Sequence, residues 1–414
     1  MNAYAVIILV ALVGEYLLSL TASVLNLRAM TPEVPDEFED LYDAARYATA
    51  QRYALVCTRF GLLQGTLRLA GLLAFWQFGG FGWLDALVHA QGWGPVRSGL
   101  MFVGLLMVAS AVLGLPFRLY STFVIEERFG FNRTTMATFW ADRAKGWLLA
   151  IVLGGGLLTA ILFFFEWAGP LAWLWCWGVA AAFLLVTQFV APTWIMPLFN
   201  TFSPLGNGEL RDAILGYARS VEFPLDGIFV IDGSRRSSKA NAFFTGFGKH
   251  KRIALFDTLI EKQTVDELVA VIAHEVGHYK RRHVLERLVL ATAHTGAMFW
   301  LLSFFLEQPG LFTAFGVTEP SVYAGLLFFG LLFTPIELVL SLAVHARARK
   351  NEFEADEFAV TTTGASGPLI AALKKLSVES LTNLTPHPLT VALSYSHPPL
   401  LRRIETMRAV EGRG

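Results

Sequence analysis

His274-Glu275-Val276-Gly277-His278 sets two imidazoles four residues apart with a carboxylate beside the first. On a helix, residues i and i+4 lie one turn apart on one face, about 5–6 Å between Cβ atoms. Both rings can therefore reach a single Zn²⁺ at about 2.0–2.1 Å. Glu275 is placed to take a proton from a water activated by the metal rather than to bind the metal. Chance alone supplies such a pentapeptide in a chain like this on the order of once in a hundred. Its surroundings add weight. Val269, Ala270, Ile272, Ala273 and Val276 make the helix apolar, and two imidazoles and a carboxylate buried there without partners would be costly.

A catalytic zinc site takes three protein ligands and keeps one position open. A second run, Arg349-Lys350-Asn351-Glu352-Phe353-Glu354-Ala355-Asp356, offers the third. Glu352 and Asp356 share a helix face at i, i+4, whereas Glu354 points elsewhere. Glu352 is assigned as the third ligand of one Zn²⁺ per chain. Asp356, one turn on, is assigned to accept a hydrogen bond from the free ring N–H of a ligand histidine, fixing its tautomer. Without the first motif, an ordinary charged helix end with Arg349 paired to a carboxylate would be the simpler reading.

The elements that must carry these residues are apolar. Of 414 residues, 54% are hydrophobic and 16% charged, with a formal net charge of +0 and a mean hydropathy of +0.51. Soluble domains usually carry about 25% charged residues. Such a chain is not disordered, and nothing in its charge drives phosphate contacts, so a nucleic-acid partner is excluded as a first reading. Two cysteines, Cys57 and Cys176, exclude a disulfide scaffold and a cysteine-based zinc domain. A predominantly α-helical polytopic membrane protein remains.

Seven stretches are long and apolar enough to span a bilayer: 3–26, 60–83, 98–117, 146–167, 170–192, 284–306 and 321–345. The second is the weakest, with Arg68 and Gln77 inside it. The first is no cleavable signal, since it lacks a basic n-region and Glu15 interrupts it. Arginines and lysines cluster after the first and third spans, at Arg28, Arg46, Arg52, Arg59 and at Arg118, Arg128, Arg133, Arg143, Lys145. The alternate connections are nearly bare. This bias puts the N-terminus outside and the catalytic segment and C-terminus in the cytoplasm.

The chain thus divides into five spans over 1–192, a polar α/β segment over 193–283, two spans over 284–346, and C-terminal helices over 347–414 that complete the site. Within the polar segment the patterning predicts helices over Glu209–Val221 and Val265–His283, and strands over Gly227–Asp232 and Arg252–Asp257. Asn241–Gly246 is a further strand-like run, bounded by Gly246 and Gly248, whose edge could pair with an extended peptide. Roughly 10 Å of helix separates His278 from the sixth span, and Glu352 lies a similar distance past the seventh. Both ligand helices therefore read as cytoplasmic extensions of spans, with the metal at the inner bilayer face. Glu15, Arg68, His294 and Glu337, inside spans, should face protein or water, or pair across helices.

With these residues in view, the sequence resembles the type I CAAX prenyl proteases, integral-membrane zinc metallopeptidases that trim isoprenylated protein C-termini. The matching blocks run in order through Phe123–Asn132, Pro197–Pro204, Gly233–Phe247, Arg252–Thr258, His274–His278, Arg349–Asp356 and Ser396–Arg403. The resemblance implies seven tilted helices around a water-filled chamber, capped by a gluzincin-type domain containing a small β element. It implies zinc on His274, His278 and Glu352, with Glu275 as general base. It also places Asn241 and His397 beside the substrate, and Arg403 at the arginine of the same terminal motif. The short stretch from Thr258 to His274 and a terminus without an ER-retrieval signal favour a prokaryotic cytoplasmic-membrane homologue.

The expected reaction is peptide hydrolysis, with His397 as a side-chain donor to the developing oxyanion. Ser396-His397-Pro398 also reads as a helix start, and His387 as a loop residue. Expected partners are a peptide or protein substrate, lipidated ones included, and the bilayer, with no obligate protein partner. Two alternatives stand: a heat-shock-type membrane quality-control protease, and a transporter or scaffold keeping a structural zinc. The long N-terminal half argues against the first. A glutamate beside the metal with only three ligands argues against the second.

Overall fold

The computed structural model describes residues 2–247 and 250–413. Its N-terminal half is helical: α1 (Ala3–Arg28), α2 (Ala44–Gln77), α3 (Gly80–His89), α4 (Pro95–Tyr120), α5 (Met136–Leu149), α6 (Gly155–Trp167), α7 (Ala172–Val190) and the single turn α8 (Met196–Phe199). The polar segment follows with β1 (Phe202–Pro204), α9 (Glu209–Ser220), β2 (Leu225–Ile231), β3 (Ala242–Phe247), β4 (His250–Phe256), α10 (Asp257–Ile260) and α11 (Val265–Lys280). The remainder is α12 (His283–Phe305), α13 (Pro309–Thr313), α14 (Val322–Thr363), α15 (Gly367–Glu379), α16 (Pro388–Ser394) and α17 (Leu400–Glu411).

Among the described residues, six continuous helices are long and apolar enough to cross a membrane: Ala3–Arg28, Pro95–Glu126, Met136–Trp167, Gly169–Phe199, His283–Phe305 and Val322–Thr363. They cover six of the seven predicted spans. The stretch 60–83 differs. Its helix, α2, is long enough but less apolar than the others, with Gln64, Arg68 and Gln77 in this stretch, and it stops at Gln77, before Gly79 turns the chain at a φ of 74° and α3 begins. Only glycine takes that left-handed conformation without strain. Apolar side chains that no protein covers, such as Val112, Leu113, Ile151 and Trp194, lie on the spanning helices, as a lipid-facing surface requires.

Among the described residues three buried apolar clusters hold the molecule together, a small one around Phe38 and Phe131 and two larger ones. In the helical bundle, Phe81, Phe102, Phe312, Phe315 and Phe328 pack in one buried cluster, with Phe315 and Phe328 stacked at 4.0 Å. Beyond it, a four-stranded sheet of order β1-β2-β4-β3 packs against α11. Strand β2 pairs parallel with β4, while β1 and β3 pair antiparallel with β2 and β4. Strand β1 was not foreseen; three residues are too few to show a period. The strand predicted over Asn241–Gly246 is β3 and forms one edge of the sheet; Gly248 lies outside the described residues.

The second of the larger clusters positions the site. Leu268, Val271, Ile272 and Val276 bury one face of α11 beside Ile253, Leu255, Ala359 and Leu369. Each large side chain buried there stabilises the fold by about 1.5–3 kcal/mol. Thr264 and Glu267 start α11 with a reciprocal capping box, which satisfies two of its free N–H groups.

One expectation is corrected. Helix α11 does not run on into the sixth span: it ends at Lys280, and Arg282, at a φ of 60°, caps α12. The left-handed residue reverses the local path, so the two helices meet at a corner. Helix α14, in contrast, carries the seventh span without interruption through Glu352 and Asp356.

Candidate active site

Helices α11 and α14 pack side by side, and Gly277 lets them approach. A Cβ at this position would stand 3.0 Å from the Ala355 carbonyl oxygen and 3.1 Å from its Cα. On α11, His274 and His278 turn toward α14; there, Glu352 faces them. The two Nε2 atoms lie 3.2 Å apart. Glu352 Oε2 is 3.5 Å from His274 Nε2, and Oε1 is 3.3 Å from His278 Nε2.

These separations fit a metal. A tetrahedral ion bound at about 2.0–2.1 Å holds its ligand atoms about 3.3 Å apart. Glu352 Oε2 is buried without a hydrogen-bond partner; its approach to His274 has ion-pair distance but not hydrogen-bond alignment. Two ring nitrogens facing each other and an orphaned carboxylate oxygen are costly alone and are satisfied together by a cation. Among the described residues, these three form the group of histidine and carboxylate side chains able to hold a metal.

Behind the ligands lies a charged support. Asp356, fully buried, approaches His274 Nδ1 at 2.8 Å. Arg403 from α17, itself almost buried, clamps Asp356 with bonds of 2.8 and 2.6 Å and stands 3.5 Å from Glu352 Oε2. Burial alone would lower the His274 pKa, but the carboxylates of Asp356 and Glu352 beside the ring outweigh it and carry it to about 9 without a metal. Burial alone would likewise raise Asp356 and Glu352. The neighbouring Arg403 charge draws the first below the usual carboxylate range, and the histidines with Arg403 draw down the second.

Glu275 is half-buried beside His274 and has no hydrogen bond or ion pair among the described residues, though it lies in the field of Arg403. His397 stands at the open side, its side chain 63% exposed and its Nε2 3.4 Å from Glu352 Oε1. It precedes α17, whose N-cap is Pro399. Among the described residues Arg349 makes no carboxylate pair: it donates to the carbonyls of Val391 and Tyr395, holding the end of α16. Asn241 is exposed at the start of β3, with its carbonyl accepting from Phe256 and its side chain bonded to Ala242 N–H. No bond joins Asn241 to the ligand cluster.

Other residues were missed. His283, nearly fully buried, sits between His278 and Glu354 at 3.0 and 3.1 Å. Its signal was a third histidine within ten positions, hidden because i+5 leaves the helix face. His387 caps α16, accepting from Leu389 N–H, rather than lying free in a loop. Among the intramembrane polar residues, His294 and Glu337 lie 3.0 Å apart across α12 and α14, at ion-pair distance without hydrogen-bond alignment.

The comparisons with known proteins follow this geometry. Residues 23–201 match a profile described as the CAAX prenyl protease N-terminal region with five membrane helices, and residues 204–411 match peptidase family M48. A CAAX prenyl protease 1 homolog of Arabidopsis thaliana is 36% identical, covering 94% of this chain and 93% of its own length. The chain belongs to this M48 family of CAAX prenyl protease 1 proteins. CAAX prenyl protease 1 of Saccharomyces cerevisiae is 34% identical, over 91% of this chain and 88% of its own. The crystal structure of S. mikatae Ste24p superposes with a TM-score of 0.93 at 30% identity, covering 98% of this chain and 99% of that one. The family makes this a multi-pass membrane metalloprotease, acting on peptide or protein substrates with a bound metal.

The closeness of the ligand helices gives a first expectation. Gly277→Ala would press a methyl group onto the Ala355 backbone and Phe358, and overpacking of this kind costs about 1–3 kcal/mol. Metal affinity measured by chelator competition should fall about tenfold or more. Wild-type affinity in that variant would show that the helix spacing does not set the ligand geometry.

Proposed function

We propose that this chain is a zinc metalloendopeptidase that hydrolyses extended or C-terminal peptide segments, prenylated CAAX-type ones included, with Glu275 as general base. The observation that carries it is the meeting of two ring nitrogens and an orphaned carboxylate beside an unengaged glutamate. His274, His278 and Glu352 would hold the ion. Bound zinc supplies Lewis acidity, lowering the pKa of water and polarising a carbonyl.

The chain's own residues do the rest. Glu275 takes a proton from the attacking water and delivers it to the leaving amine nitrogen. His397, exposed beside Glu352, donates a hydrogen bond to the carbonyl oxygen as negative charge develops there. Asp356 holds the His274 ring in the tautomer that leaves Nε2 bare, and Arg403 holds Asp356, a positioning role rather than a substrate contact. Substrate pairs along the free edge of β3, near Asn241, where backbone bonding is independent of sequence.

The site's position sets its access. Glu352 lies on the same unbroken helix as the seventh span, so the metal stands close to the membrane face, above a water-filled chamber among the helices. We place the N-terminus outside and the site in the cytoplasm, from the arginine and lysine bias, with α2 crossing as one of five spans that precede the polar segment. A prokaryotic cytoplasmic membrane accords with the short connection between α10 and α11, residues 261–264, which carries no long charged insertion. No obligate protein partner is needed.

The test uses the purified protein in detergent with one quenched peptide, the same peptide prenylated, and a folded domain carrying the sequence internally. Chelator-sensitive cleavage of both peptides is expected, with little or none inside the folded domain. The prenyl group should lower the apparent KM by partitioning, at about 0.8 kcal/mol per buried CH₂, and leave kcat nearly unchanged. Bound zinc without turnover on any peptide would favour a scaffold. Rapid cleavage within the folded domain would defeat the chamber.

A further inference from the structure

The two ligand histidines are supported differently. His274 turns its Nδ1 to a carboxylate, Asp356. His278 turns its Nδ1 to another imidazole: His283 Nδ1 lies 3.0 Å away. The far side of that ring, Nε2, stands 3.1 Å from Glu354 Oε2. His283 is 1% exposed, at the first position of α12 just after the left-handed Arg282. Glu354 is in turn approached by Lys350 at 3.8 Å and Arg347 at 3.9 Å, and Arg347 is pinned by Glu286.

With both rings neutral, the protons along this chain have one arrangement. A carboxylate accepts only, so His283 carries its proton on Nε2 and donates it to Glu354. The neutral ring then has a bare Nδ1, which must accept. His278 must therefore hold its proton on Nδ1, leaving its Nε2 lone pair free toward His274 and Glu352. That is the form a metal ligand needs. We infer that His283, oriented by Glu354, is a positioning residue that locks His278 in its metal-binding tautomer, as Asp356 does for His274.

The arrangement also explains two features the reaction itself leaves unused. Glu354, on a different face of α14 from Glu352 and Asp356, has a task at the site through His283. The corner at Arg282, unusual for a non-glycine residue, brings the first side chain of α12 back against α11. A straight extension of α11 would place residue 283 five positions after His278, about 140° around the helix axis, and out of reach of its ring.

This inference rests on the metal site proposed above, and the experiment separates the two. Zinc affinity is measured by chelator competition at fixed pH for the full-length protein, for His283→Asn and for His283→Leu. Thermal unfolding of each metal-free protein is measured alongside. Asparagine presents its oxygen close to the position of Nδ1 and still accepts from His278; leucine keeps bulk without an acceptor. His283→Leu should lose 10- to 100-fold in affinity, and His283→Asn should recover most of it. The Co²⁺-substituted protein should show the same order in its d–d spectrum, shifted in the leucine variant and near wild type in the asparagine variant. Glu354→Gln, which keeps an acceptor for His283, should fall between. Equal affinities in all three proteins would overturn the inference. So would equal losses in both His283 variants that track lower metal-free melting temperatures, which would mark His283 as packing alone. Absence of zinc binding in the unmodified protein would instead overturn the metal site itself.

Discussion

Glu275→Gln should leave the metal in place and reduce peptide cleavage by at least a thousandfold. The proposed ligand atoms belong to His274, His278 and Glu352, and Glu275 bonds to none of them. Glutamine matches glutamate in shape, so the packing of α11 between the sheet and α14 is undisturbed. What disappears is the proton acceptor. Removing a general base costs about 10²–10⁴ in rate, and in the proposed mechanism the same carboxylate also returns the proton to the leaving amine, so two steps would suffer. Metal content by elemental analysis and kcat on a quenched peptide together decide the matter. Full activity with metal bound would assign the base elsewhere. Metal loss would instead mean that Glu275 belongs among the ligands. A retained metal with no turnover makes the variant a trap, and substrates held by it in the native membrane can then be identified.

The second large effect is structural. Arg403→Met should destabilise the metal-free domain by about 3–5 kcal/mol, because two charge-assisted bonds to a buried carboxylate are lost and only the His274 ring remains beside it. Asp356 is fully buried, and two of its three close polar contacts come from Arg403, at 2.8 and 2.6 Å, the third being His274 Nδ1 at 2.8 Å. For a folded unit of 150–250 residues, that corresponds to a fall in Tm of about 10 °C or more. Metal binding should fail with it, since Arg403 also stands beside Glu352. Lysine should not rescue it: a single ammonium cannot make the two parallel bonds of the guanidinium. The double variant Arg403→Met, Asp356→Asn should recover part of the stability, because the stranded charge is gone. A Tm within a degree or two of wild type in the single variant would show that water reaches Asp356. The pH dependence has a defined sign. The Asp356 carboxyl is held below its ordinary value of 3.8, so its contribution is complete above that value. It is lost as the pH falls through the lower, folded-state value.

The chemistry of this chain was legible because its signals are local. An i, i+4 spacing places two side chains on one helix face whatever the rest of the molecule does, so His274, His278, Glu352 and Asp356 could be paired within their own helices. Hydropathy sums located six of the membrane helices for the same reason. The second predicted span ran past the end of α2 because an apolar count does not register a left-handed break at Gly79.

The partners across helices were not legible. Arg403 lies 47 residues from Asp356 and Glu354 lies 71 from His283, and no periodicity along the chain links such positions. Their meeting depends on how α11, α12, α14 and α17 pack, on the close approach allowed at Gly277, and on the corner at Arg282. Arginine gives no warning of such a corner, since the left-handed conformation is imposed on it by the packing of both helices. Local spacing is set by covalent geometry and can be read from any short window. The support of a metal ligand is set by the sum of many weak contacts between distant elements, and it exists only once those elements have packed.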